Sequence, residues 1–385
     1  MDVRDLDNGV AEQAVADALA ARGEAVSIQA LTVVAKRLRM VGQGWTPAQV
    51  YAWLARDMGM LRQLLERGAG MLEKAGADAM EELGSAVDDW AAPYYAAKKV
   101  RQASSADSPY LSRLLESGVE KMGRDVRSMC RTSACRIFDG SKWVPLTDWY
   151  GKVLTTAALN AAAGRDTAKQ VRKAVYALSG SGLRVQYKSG ATRELYSAVS
   201  QSVRDQYSQT MQDMRNQQAK EFGADGVAIS AHSYCAPDHL PYQGRRFKDA
   251  EFEKIQSSLK RPIGGYGCRH HYVRVIVGIG RGAYTDEQRE KMREASEKTV
   301  TYVENGVEKQ TTGYGFTQHQ RAVETSIRKL KGAGMVADSA GDAELAKDFR
   351  RRAKAAEEAY KAQCKAAGFE PRIERTKVYD WKPFG

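Results

Sequence analysis

Cysteine and histidine are both scarce in this chain, five of each in 385 residues. The cysteines show none of the even, regular spacing of a disulfide-stapled scaffold, and thiols this sparse suit a chain assembled in a reducing cytoplasm. Long apolar runs are missing too. None approaches the ~18 residues that a membrane-spanning helix needs, so no membrane partner is expected. The opening stretch, MDVRDLDNGVAEQ, lacks the basic and apolar regions of a secretion signal, and export is not expected. No internal repeat and no long low-complexity tract is found.

What is present is a globular composition, with 43% hydrophobic residues, which supplies a packed core. The length suggests two or three units at about 100–200 residues each. Lys and Arg number 59 against 47 Asp and Glu, a net charge of +12. Two readings of that excess stand side by side: work near a polyanion such as nucleic acid, or a solvated basic surface.

Along the chain the fold class reads as α+β. Residues 1–178 form a helical N-terminal region, 179–312 an α+β module with short strands, and 313–385 a helical, basic C-terminal region and tail. In IQALTVVAKRLRMV the apolar residues recur at helical steps. WTPAQVYAWLARDMGMLRQLLERG opens with Thr46 as N-cap and Pro47 at the first helical position, and Gly68 is expected to end that helix. The polar run 102–109, closed by Pro109, reads as a linker or helix connection. Helical patterns follow at about 110–133 and 147–178, with Cys130 and Cys135 as ordinary thiols in a helix or turn. Leu183, Val185 and Tyr187 alternate with polar residues and predict a strand. From Thr192 to Phe222 the stripe Tyr196, Val199, Val203, Tyr207, Met211 and Met214 predicts a core-facing helix. Short strands are expected at GVAIS and HYVRVIVGIG, and Asn305-Gly306 marks a hairpin between Thr299 and Thr312. Two helical segments then flank GAGMVADSAGD, with Cys364 in the core.

Against this background one window stands out. Six of the ten Cys and His residues, His232, Cys235, His239, Cys268, His270 and His271, fall between 232 and 271, where an even scatter would place about one. Cys235 and His239 form one short pair, Cys268 and His270 another, and two such pairs brought together by a loop follow the logic of a Cys₂His₂ site for one zinc ion. His271 is an alternative to His270. The other reading has the histidines as hydrogen-bonded framework and the cysteines as small buried hydrophobes.

A metal-dependent nuclease or hydrolase is a further alternative. Asp238-His239-Leu240-Pro241 beside Cys268-Arg269-His270-His271 is faintly like the elements of HNH nucleases, but no asparagine lies between Leu240 and Glu304 to position a general base. Gly-Ile-Gly-Arg-Gly at 278–282 lacks the lysine and context of a phosphate-binding loop and reads as a turn. No nucleophile with an orienting third group is recognisable, so no catalytic residue is assigned and the chain is not expected to be an enzyme.

Several ordered blocks carry a resemblance. Ile229-Ser230-Ala231-His232, Pro237-Asp238-His239, Gln243-Gly244 and Gly267-Cys268-Arg269-His270 together resemble the signature of the phage minor capsid protein 2 family, within the larger phage Mu F-like head-morphogenesis group. The stretch Gly182–Gly190, the block Gln318–Glu324 and the charged Ser326-Ile327-Arg328-Lys329 extend the likeness over at least 180–335. At Tyr234-Cys235-Ala236 many members carry Gly-Ala-Arg, so metal binding is not carried over from the family. The resemblance implies a virion structural protein, assembled in the host cytoplasm and held in few copies inside the head near the portal vertex. Portal protein, major capsid or scaffolding protein would be its partners, with packaged double-stranded DNA bound without sequence preference. Arg350, Arg351, Arg352 and Lys354 are the candidate DNA contacts, since Lys and Arg neutralise phosphates in a salt-dependent way. A stand-alone, sequence-independent DNA-binding protein is the remaining alternative.

Overall fold

The computed structural model describes residues 8–40, 47–99, 101–102, 104–131, 133–163, 168–187, 189–265, 268–278 and 282–379. Thr46, Gly267 and the middle of the 278–282 turn lie outside them. The fold is α+β and mostly helical, with small antiparallel sheets.

Helix α1 (Asn8–Arg39) and α2 (Pro47–Lys98) pack along each other, and α3 (Pro109–Met129) returns against α2. Pro47 stands at the expected helix start, but Gly68 does not stop α2. A Cβ on Gly68 would lie 2.6 Å from the Val26 side chain, so this glycine lets α1 and α2 approach closely, and the ordinary helix cost of glycine, about 1 kcal/mol, is outweighed by packing. The described residues of the 102–109 stretch lie between α2 and α3 as a helix connection. Ser105 donates to the Asp88 carboxylate through its backbone N–H and its hydroxyl, and Ser108 caps α3 ahead of Pro109.

Strands β1 (Cys135–Phe138) and β2 (Trp143–Pro145) precede α4 (Leu146–Ala162) and α5 (Ala168–Ser181). Strands β3 (Arg184–Gln186) and β4 (Thr192–Glu194) complete a sheet of order β2-β1-β3-β4. Cys135 therefore opens a strand, where a helix or turn was expected, and pairs with Val185. Its thiol and that of Cys130 are pushed up to about 12 by burial.

The long α6 (Leu195–Phe222) runs through the centre, with Val199, Val203, Met211 and Met214 all buried. One apolar cluster joins these to Leu61, Leu64 and Leu72 of α2 and reaches Val336 near the far end of the chain. Each such leucine contributes about 2 kcal/mol by leaving water. One polar network sits inside it: Asp57 accepts two 2.8 Å hydrogen bonds from Arg37 and a short one from the Tyr150 hydroxyl, tying α1, α2 and α4 together.

Beyond α6 the three-stranded sheet β6-β5-β7 is built from β5 (Gly226–Ile229), β6 (Arg246–Lys248) and β7 (Tyr272–Val275), all antiparallel, with α7 (Asp249–Ser258) between β6 and β7. β5, the central strand, is buried throughout, as an uninterrupted apolar run requires. Helix α8 (Asp286–Glu297) opens with a capping box at Thr285 and Gln288.

The hairpin β8 (Thr299–Glu304) and β9 (Val307–Thr312) turns at Asn305 and Gly306, both with positive φ, 53° and 78°. Helices α9 (Gly313–Ser339) and α10 (Ala343–Ala367) close the fold. The glycine-containing stretch after Lys331 stays helical to Ser339. Gly332 there meets α1, where a Cβ would come 2.9 Å from Ile28. Cys364 is buried in the small core shared by Phe316, Ile327 and Tyr360, as expected.

Candidate functional site

The Cys/His window occupies the two loops at one end of the three-stranded sheet. The first, after β5, is held to the sheet by backbone bonds from Ser230 to His271 and from Gly244 to Ile229. Residues 236–243 make a helical turn, with Gln243 and His239 paired through the backbone. The second loop, after α7, is fixed by Gln256, whose side-chain amide both accepts from and donates to the Ile263 backbone, 2.7 and 3.0 Å. Ser296 of α8 accepts from the Cys235 backbone N–H at 2.9 Å and so anchors the first loop to the next helix.

Three donor groups converge there. Cys268 Sγ lies 3.4 Å from His239 Nδ1 and 3.5 Å from His270 Nδ1, and the ligand atoms of these three residues all fall within 4.8 Å of one another. Together they could hold a metal ion. Cys235 stands apart from this set: its Sγ faces the other nitrogen of His270, Nε2, at 3.5 Å, and its thiol donates to the Ala236 carbonyl. The ring of His270 thus separates the two thiols. His271 turns its backbone N–H to the Ser230 hydroxyl and is not in the converging set.

The tautomers follow from partners that can only accept. The His232 backbone N–H donates to Gln243 Oε1 at 3.1 Å, which fixes that atom as an oxygen; His270 Nε2, 3.2 Å from it, must carry its proton. His239 Nε2 lies 2.8 Å from the Arg261 carbonyl and carries its proton there. Neutral imidazoles in these tautomers turn both Nδ1 lone pairs toward Cys268.

The electrostatics agree for His270, while for His239 they favour moving the Cys268 proton onto Nδ1. Burial holds His270 neutral, well below the ordinary imidazole value. Burial pushes Cys268 up, but the facing His239 ring and the Gly264 and His270 amides bring its thiol below the usual range. For His239 burial works against the charged ring, and Cys268 with the Arg261 carbonyl raises it nonetheless. Cys235, by contrast, is pushed up to about 12 by burial and stays a thiol. His232 stacks on His270, ring centres 4.4 Å apart, and burial drops it to about 4.

The other signature residues fall around the same loops. Asp238 is half-exposed and pairs with Arg261 at 3.4 Å. Pro237 and Gly244 bracket the helical turn, and Arg269 separates Cys268 from His270. Sequence reasoning did not single out Arg261, Gln256 or Ser296, whose service to the site is through a carbonyl, an amide and a hydroxyl that no spacing rule flags. The candidate DNA contacts lie far along the chain on α10, where Arg350 pairs with Asp338 at 3.2 Å and Arg351 and Arg352 pair with Asp348 at 2.6 and 3.8 Å. Lys354 is exposed beside them.

The model of the phage minor capsid protein 2 family matches residues 24–364, nearly the whole chain. This chain belongs to that family, and it is a structural protein of the phage virion. The family suggests a non-enzymatic role and interaction with other components of the phage head. No curated protein and no solved structure matches the chain at a significant level. Among the described residues no helix is long and apolar enough to cross a membrane.

Proposed function

We propose that this chain is a minor component of the phage head that sits on the inside of the shell near the portal vertex, contributes to procapsid assembly and lies against the packaged DNA. The family match over residues 24–364 carries this reading. Portal protein and major capsid or scaffolding protein are the partners it calls for. The net charge of +12 supports it physically, since a basic chain in a DNA-filled shell neutralises phosphates without reading sequence.

The hydrolase alternative is weaker on the site's own chemistry. A metal-activated water needs a base beside it. Asp238, the carboxylate next to His239 in the sequence, is 3.7 Å from that residue on the Nε2 side of the ring, opposite the Nδ1 that meets Cys268, and is engaged by Arg261. The test of the proposal is protease protection in particles. In intact heads the chain is expected to survive a protease that digests it once the heads are opened, and digestion from intact heads overturns the interior placement.

A further inference from the structure

We propose that His239 Nδ1, Cys268 Sγ and His270 Nδ1 are three ligands of one zinc ion, with Cys235 outside the coordination shell. The inference stands independently of where in the particle the chain is placed.

Distance is the first support. With Zn–S near 2.3 Å and Zn–N near 2.0–2.1 Å, a tetrahedral site has sulfur-to-nitrogen edges of about 3.6 Å. The two edges here are 3.4 and 3.5 Å. Hydrogen-bond accounting is the second. Both imidazoles give their Nε2 protons to fixed oxygens, His239 to the Arg261 carbonyl and His270 to Gln243 Oε1, the outer-shell arrangement that orients metal-bound histidines. A single proton then serves three atoms, Cys268 Sγ and the two Nδ1, and wherever it sits it satisfies only one of the two sulfur–nitrogen contacts. A cation satisfies both, and the proton leaves to solvent as the Zn–S bond forms. The third support is donor type: two imidazoles and a thiolate suit zinc, whereas calcium and magnesium demand oxygen.

Cys235 does not complete the set, because its sulfur lies against His270 Nε2, across the ring from the nitrogen that faces Cys268. The fourth position therefore belongs to water. The ion ties the loop after β5 to the segment entering β7, at the end of a sheet whose own apolar cluster holds only Val227, Ile229, Phe247, Phe252, Ile255 and Ile263 as buried members.

The experiment is metal analysis of the untagged full-length chain by inductively coupled plasma mass spectrometry, with Cys268→Ser, His239→Ala and Cys235→Ser beside it. About one zinc per chain is expected, lost in the first two variants and kept in the third. Since the first two variants could unfold, the unaltered chain is also loaded with cobalt(II), where a tetrahedral spectrum with the charge-transfer intensity of a single thiolate is expected. No zinc and no cobalt spectrum overturns the site. A two-thiolate cobalt band, with zinc lost from Cys235→Ser, overturns the three-ligand set in favour of all four residues.

Discussion

The helical bundle of α1 to α6 and the three-stranded module after it are held together by different means. In the bundle a continuous apolar cluster fixes the helices, and the buried network around Asp57 is an addition to a core that already exists. In the module Ala228, Val273 and Val275 join that cluster and six buried apolar residues form a second, smaller one, while the loop geometry is set by named polar contacts from Gln243, Gln256, Ser296 and the Arg261 carbonyl. Where little apolar surface is available to bury, position must come from directional bonds, and each of these is specific to one side chain.

Removing a polar group from each region tests that contrast. Asp57→Ala leaves the Arg37 guanidinium and the Tyr150 hydroxyl facing each other without their shared acceptor. A loss of about 3–5 kcal/mol is expected in urea unfolding, as for other broken buried pairs. Metal content should be untouched, and a coincident loss of zinc would mean that the two regions are one cooperative unit.

A smaller effect, read by pH, belongs to the seam where α1 meets α9. Burial raises Glu24 to about 7 even though Arg328 lies 2.9 Å away. That exceeds its ordinary 4.5, so the folded chain keeps a proton that the unfolded chain releases between those values. Stability from this group is full below pH ~4.5 and is lost as pH rises toward ~7, by up to about 3 kcal/mol. Glu24→Gln should flatten that slope; an unchanged slope would assign it to another group.

In the module, Gln243→Ala removes the acceptor of both the His232 amide and His270 Nε2. A cost of about 1–3 kcal/mol is expected, the desolvation of donors left unpaired. Gln243→Glu keeps an acceptor and should recover part of it. Equal losses from both substitutions would place the effect in packing and blur the contrast between the two regions.

The same difference explains what could be read from the sequence. Apolar periodicity announced α6 and its buried stripe, and Asn305-Gly306 announced the hairpin, because both signals are local. Gly68 and Gly332 misled, since a glycine that ends a helix and one that lets two helices touch look alike until Val26 and Ile28 are seen opposite them. Strands β1 and β2, of four and three residues, gave no alternation long enough to detect. Spacing nominated Cys235, His239, Cys268 and His270 as one group. What spacing could not supply is the direction of each ring nitrogen, which depends on an oxygen from Arg261 and another from Gln243.

The smallest expected effect concerns charge on the surface of α10. Arg350, Arg351 and Arg352 already face Asp338 or Asp348, whereas Lys354 has no carboxylate partner among the described contacts. A cation that must leave a carboxylate to meet a phosphate gains less from the exchange than one that leaves only water. On the proposal that this face meets packaged DNA, Lys354→Ala should lower the slope of log affinity against log salt by about 0.9, the contribution of one phosphate contact on a duplex. Arg351→Ala should lower it by less, and each change should alter stability by under about 0.5 kcal/mol, as exposed substitutions do. Equal slopes for both variants and the unaltered chain would remove α10 as a DNA contact and leave its basic residues as a solvated, internally paired face.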